Sequence, residues 1–118
     1  MIKPVDLKQK LVTAEYDELF AKIYKKEDVS AQKERYIALA ESFDKLFGAG
    51  RDAAVFSAPG RTEVGGNHTD HNHGKVLAAS VNLDAVAVVS KNDENIVRVK
   101  SEGYKIDAVD LANMNVMP

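Results

Sequence analysis

The residue types able to do chemistry in this chain crowd into one stretch. Between Ser57 and Leu77 lie four glycines, three histidines, an arginine and two acids, flanked on both sides by apolar runs. Gly60, Gly65, Gly66 and Gly74 give the backbone freedom and close approach, which a packed core does not need at such density. Arg61, Glu63, Asn67, His68, Asp70, His71 and His73 bring charge-assisted donors and acceptors into the same segment. Such a set suits a site that reads hydroxyls or phosphates.

Four chemistries compete for these residues. Metal ligation by His68, His71 and His73 with Asp70 is disfavoured. In an extended segment His71 and His73 share a face while His68 points away, and no cysteine completes a four-ligand set. A phosphate loop is disfavoured because neither Gly-x-x-x-x-Gly-Lys-Ser/Thr nor Gly-x-Gly-x-x-Gly occurs. A Ser57, His68 and Asp70 nucleophile set lacks the elbow that would present the serine. Polyol recognition fits best: the Asp70 carboxylate accepts from neighbouring hydroxyls, Asn67 and His68 satisfy the rest, and Arg61 is a fixed charge for a nearby anion. Its competitor is a polar loop that is merely solvated.

The elements that must position this loop can be read on either side of it. Val12, Tyr16, Leu19, Phe20 and Ile23 recur at spacings of three and four, which predicts a first helix. A second starts at an N-cap on Ser30, carries the stripe Tyr36, Ile37, Ala40, Phe43, Leu46 and Phe47, and stops at Gly48 and Gly50. The aromatics of both are expected to pack against a sheet. Residues 53–58 read as a strand that turns at Pro59-Gly60. Residues 76–81 and 83–89 read as strands buried on both faces. After a turn at 92–95, residues 96–100 and 104–109 alternate with period two, and the whole predicts an antiparallel meander. Residues 110–118 show no strong pattern.

Composition bounds the remainder. The chain has 118 residues, 45% apolar and 29% charged, as in an ordinary globular domain. A net charge of -2 gives no electrostatic case for nucleic acid or an anionic membrane surface. With no cysteine there is no disulfide and no thiolate chemistry, and with no leader-like apolar run after Met1 the expected location is the cytoplasm.

The stretch Pro59-Gly-Arg-Thr-Glu-Val-Gly-Gly-Asn-His-Thr-Asp-His-Asn-His-Gly-Lys-Val-Leu77 resembles the galactokinase signature. The usual form of that signature is Gly-Arg-Val-Asn-Leu-Ile-Gly-Glu-His-Thr-Asp-Tyr-Asn-x-Gly-x-Val-Leu. Galactokinases belong to the GHMP group of small-metabolite kinases, which transfer the γ-phosphate of ATP. The resemblance implies that Arg61 is catalytic, stabilising the phosphoryl transition state and a catalytic aspartate. It implies that His68 and Asp70 bind sugar hydroxyls, with Thr69 between them and Asn67 in the same substrate-binding set. Asn67 stands where the family has glutamate, Glu63 where it has asparagine, Gly65 where it has isoleucine and His71 where it has tyrosine. These departures bear on which sugar is preferred. No metal site is expected among these side chains.

The group's second motif, Pro-x-x-x-Gly-Leu-Ser-Ser-Ser-Ala, and the catalytic aspartate beyond it do not occur before Pro118. The resemblance therefore implies that residues 1–118 are the N-terminal part of a galactokinase-like domain, with helices over 8–48 and the sheet and sugar-binding loop over 53–110. The expected fold is α+β, an incomplete N-terminal GHMP-kinase-like domain of the ribosomal S5 domain 2-like kind, with two N-terminal helices and a mixed or antiparallel sheet. The implied activity of the parent is transfer of the ATP γ-phosphate to the anomeric hydroxyl of galactose, with ATP and Mg²⁺ held mainly outside this chain. Alternatives are an N-acetylgalactosamine or arabinose kinase, or a non-catalytic galactokinase-like sugar sensor. The expected partner is a small-molecule sugar, with no nucleic acid and no membrane, and the chain alone is expected to be inactive and to self-associate.

Overall fold

The N-terminal segment folds as a helix where Pro4 presets φ at the first helical position, with Asp6 in the first turn and Lys10 in the last complementing the helix dipole. The computed structural model describes residues 2–66 and 69–113, Asp70 by its backbone alone. This helix, α1 (Pro4–Val12), is followed by α2 (Asp17–Ile23), a 3-10 turn (Lys26–Asp28) and α3 (Val29–Phe47). Two predicted helices are thus three. The chain breaks at 13–16, where Ala14 takes a left-handed φ of 63°.

That break changes which residues are buried. The spacing read across it places Val12 in the apolar stripe, yet Val12 is 72% exposed, and Leu19 and Ile23 also face solvent. Each short helix instead buries its own face: Leu7 and Leu11 from α1, and Phe20 from α2. On α3, Tyr36, Ala40 and Phe43 are buried at helical spacing. Ser30 is not its N-cap. The helix begins two residues earlier than such a cap implies, at Val29, with Asp28 at the cap position and no side-chain cap bond. Gly48, at φ 93°, stops it as expected.

Leu7, Leu11, Phe20, Tyr24, Tyr36 and Ala40 form one core cluster, against which Ile2, Val55 and Val86 pack from outside. Phe20 and Tyr36 meet edge to face at 4.9 Å, a favoured aromatic geometry. Two ion pairs fasten the helices, Lys8 to Glu41 at 2.7 Å and Lys33 to Asp17 at 2.6 Å.

β1 (Ala53–Gly65) and β2 (Leu77–Ser90) form one long antiparallel ribbon. Ile2 closes the start of β1 through reciprocal backbone bonds with Ala53 of 2.8 and 2.9 Å. Pro59-Gly60 is not a turn. Both residues lie within β1, at an irregularity between the pairs Pro59↔Asp84 and Arg61↔Ser80, where two steps along β1 face four along β2. Such a bulge absorbs the proline without ending the strand. The two strands read over 76–81 and 83–89 are accordingly one.

Nor is β2 buried on both faces. One face meets α3, with Val86 against the core, while Leu83 and Val89 are exposed large apolar side chains. β3 (Ile96–Lys100) and β4 (Ile106–Asp110) pair antiparallel as a second, separate ribbon, so the expected meander is two sheets. The turn before β3 is built by Asn92, whose Oδ1 accepts from the Glu94 amide at 3.0 Å, an Asx turn. This second ribbon makes only sparse contact with the rest and the β1–β2 ribbon is long, and the Cα radius of gyration is 18.0 Å, against roughly 13–14 Å for a compact domain of this length. The result is an α+β chain whose pairing is antiparallel among the described residues. No helix is long and apolar enough to cross a membrane among them.

Candidate sugar-binding loop

The polar loop joins β1 to β2 at the far end of the ribbon from the helices' core. Gly66 opens it at φ 82°, and a side chain there would place Cβ 2.2 Å from the Lys75 carbonyl oxygen. Only glycine fits that close approach. Thr69 then ties the loop together: its hydroxyl donates to the Gly66 carbonyl at 2.7 Å, and its own carbonyl accepts from the Asn72 and Gly74 amides at 3.1 and 2.7 Å. A 3-10 turn spans Asp70–Asn72, and His73 takes a φ of 60°. The resemblance makes Thr69 a companion of the sugar ligands; the geometry gives its hydroxyl proton to the loop itself and leaves the oxygen as an acceptor.

Arg61 stands on β1 opposite Ser80. Its side chain is 75% exposed, with Glu63 at 3.6 Å as an ion-pair partner. A pair this exposed on the arginine side contributes little to stability, so the guanidinium stays accessible to an anion. Asn67 and His68 lie outside the described residues, and of Asp70 only the backbone position in the 3-10 turn is given. Among the described residues, no group of three or more histidine, cysteine, aspartate or glutamate side chains could hold a metal ion.

Ser57 is committed elsewhere. Eight residues before the end of β1, or roughly 25 Å along an extended strand, its hydroxyl donates to Asp84. Of the nucleophile set Ser57, His68 and Asp70, the serine is thus engaged by another acid, and His68 and the Asp70 side chain lie outside the described residues.

Sequence reasoning passed over the polar cluster that Ser57 joins. The Asp84 side chain is 3% exposed. Its carboxylate accepts from Arg35 of α3, from Ser57 of β1, and from the Tyr24 hydroxyl at 2.5 Å. Tyr24 and Tyr36 in turn bond through their hydroxyls at 2.9 Å. Burial alone would raise the Asp84 pKa, but the hydrogen bonds from Arg35, Ser57 and Tyr24 outweigh it and hold the carboxyl below the ordinary range. Burial, and then donation to that carboxylate, push the Tyr24 phenol above its usual value. Beside the cluster a cleft of about 230 Å³ is lined by Ile23, Tyr24, Ser57, Pro59, Val81, Asn82 and Asp84. The one available signal was a lone acid inside the apolar run 83–89, since a carboxylate in such a strand must find donors.

Residues 41–91 match the galactokinase galactose-binding signature, a span that includes the whole β1–β2 ribbon and its loop. The chain is 38% identical to a galactokinase of Streptomyces coelicolor over 80 residues, 68% of this chain and 20% of that protein. It is 37% identical to a galactokinase of Streptococcus suis over 79 residues, 64% of this chain and 20% of that protein. A galactokinase of Lactococcus lactis subsp. cremoris is 34% identical over 67 residues, 57% and 17% of the two chains. The matched segment thus spans about a fifth of the length of these curated relatives. No solved structure matches the chain. The loop and its two strands are therefore a galactokinase-related segment, and the chain carries the galactose-binding signature of that family.

Proposed function

We propose that this chain supplies the sugar-binding side of a sugar kinase that transfers the γ-phosphate of ATP to the anomeric hydroxyl of galactose. The observation that carries the reading is the coincidence of the galactose-binding signature with a closed, glycine-gated hairpin loop beside an accessible arginine. In this reading the Asp70 carboxylate accepts from two neighbouring sugar hydroxyls, and Asn67 and His68 bind the rest of the ring edge. Thr69 keeps the loop in shape and offers its oxygen. Arg61 is the catalytic residue of this chain: it faces the charge that develops on the phosphoryl group and the base that takes the hydroxyl proton. The residues fit this chemistry because both charges belong to one hairpin, and the ion pair described for Arg61, to Glu63 at 3.6 Å, leaves its side chain largely exposed.

ATP and Mg²⁺ would supply the phosphoryl group and neutralise its charge. The described residues contribute no phosphate-cradling motif for them, so this chain's own part is to bind and orient the sugar. The chain resembles the N-terminal part of a GHMP-kinase-like domain of the ribosomal S5 domain 2-like kind, and a cytoplasmic location agrees with the absence of cysteine. Asn67 in the place of a glutamate leaves room for a sugar with a different substituent at the position it faces.

The experiment is titration of the ¹⁵N-labelled chain with galactose. Shifts confined to residues 61–76 and lost in Asp70→Asn are expected. Equal shifts in both proteins, or none in the wild type, would remove the sugar site from this loop.

A further inference from the structure

Between Arg61 and the rigid body of the molecule lies a single joint. From Pro59↔Asp84 to Arg61↔Ser80, β1 advances by two residues while β2 advances by four. A mismatch of this kind bends the strand and re-aims the side chains beyond it. The joint is tightly filled: a Cβ on Gly60 would stand 3.2 Å from the Leu83 carbonyl oxygen and 3.2 Å from the Val81 side chain. Asp84 is the residue at its helical end, and its carboxylate binds the three other structures that converge there. These are Arg35 on α3, Tyr24 after α2, and Ser57 on β1.

We propose that Asp84 is a positioning residue for Arg61: its bonds to Ser57, Tyr24 and Arg35 pin the joint at Pro59–Arg61 to the helices and so fix the direction in which the guanidinium leaves β1. The functional meaning rests on the sugar-kinase reading above; the mechanical part does not. Ser57 and Arg61 lie on the same strand four residues apart with the joint between them, so a shift at Ser57 displaces one flank of the joint and with it the backbone that carries Arg61. A side chain as exposed as Arg61 has no packing of its own to aim it. The direction of its stem is what the fold can control.

The test compares Asp84→Asn, Ser57→Ala and Phe43→Ala with the wild type by NMR of the whole 118-residue chain. Ser57→Ala removes only the bond between the carboxylate and β1 and is the variant to rely on if Asp84→Asn does not fold. Phe43→Ala loosens α3 at a buried residue outside the cluster that holds Tyr24 and Tyr36. Expected are shifts of the Gly60 amide and the Arg61 side-chain Nε in Asp84→Asn and Ser57→Ala, with Val97 and Val109 of the second ribbon unmoved. Phe43→Ala should leave Gly60 and Arg61 in place. If the joint variants leave Arg61 unmoved, or Phe43→Ala moves it equally, the positioning role is wrong. Galactose titration with Asp70→Asn as control separates the two ideas: loss of sugar shifts in that variant alongside an unmoved Arg61 overturns the positioning and keeps the sugar site. The converse, a displaced Arg61 in protein that ignores galactose, supports the positioning and removes the sugar site.

Discussion

Arg35→Ala should cost far more than the loss of a surface ion pair, and should change the shape of the pH dependence. The Asp84 carboxylate is almost wholly buried while the Arg35 side chain is 42% exposed. Removing the arginine therefore strands a buried anion. Breaking a fully buried pair costs about 3–5 kcal/mol. Water reaches the arginine side and the Ser57 and Tyr24 hydroxyls still donate, so about 2–3 kcal/mol at pH 7 is the expected loss here. For a chain of this size that lowers Tm by roughly 10 °C. The pH dependence tests the cause. In the wild type the folded pKa of Asp84 lies below its unfolded value, so its contribution is present above about pH 4 and is lost as pH falls through the folded pKa. Without Arg35 the burial that raises the pKa is less opposed, so this acid-side loss flattens or reverses and the gap between the two proteins narrows toward pH 3. Urea melts at pH 3, 4, 5 and 7 provide the measurement. A gap that stays constant across that range would refute the assignment of the stability to a buried, ionised Asp84.

Four further outcomes follow from the same geometry. Leu11→Ala, at a fully buried position, should destabilise by about 2–3 kcal/mol, near the low end for such truncations because a small helical core can settle; thermal melts read it. Gly66→Ala should abolish the ordered loop, since the added Cβ would meet the Lys75 carbonyl oxygen at 2.2 Å; amide exchange at Thr69 and Gly74 would rise, and unchanged protection there would refute the loop geometry. In the kinase reading, Asp70→Asn should weaken galactose binding by about ten- to a hundredfold, whereas Arg61→Ala should lower turnover more than affinity; equal effects on both would contradict their separate roles. The purified chain should self-associate as concentration rises, because Phe56, Leu83 and Val89 are exposed on a ribbon with an open edge, and a strictly monomeric sedimentation profile would count against this.

What the sequence disclosed and what it hid divide along physical lines. The loop was legible because its demands are local: four glycines, clustered donors and a specific order of residues need no tertiary context. The β3–β4 ribbon was legible because alternation is a local signal as well. Boundaries failed where two local signals conflict. Pro59-Gly60 is a strong turn pair, yet long-range pairing with β2 carries the strand through it as a bulge. The helical period read through residues 12–23 assumed a continuous helix, and the break at Ala14 turned Val12 outward and brought Leu7 and Leu11 inward. The Asp84 cluster was illegible because its donors come from residues 24, 35 and 57, and no periodicity links them.

The ribbon is consequently two structures in series. Its helix-packed half takes rigidity from Val55 and Val86 against the core, and from a buried carboxylate whose bonds are directional. Its loop half takes shape from glycine geometry and Thr69, while its apolar side chains Val64, Val76 and Leu77 are exposed. A ligand gripped only by the second half would be bound but not aimed, because binding groups on a loosely held hairpin follow the ligand instead of orienting it. Arg61 lies between the halves, one residue beyond Gly60. In the sugar-kinase reading that placement allows the two tasks to be altered separately: substitutions at 66–74 are expected to act on grip, and those at 57 and 84 on aim. The two classes should add when combined, since the loop and the carboxylate cluster share no hydrogen-bond partner among the described residues.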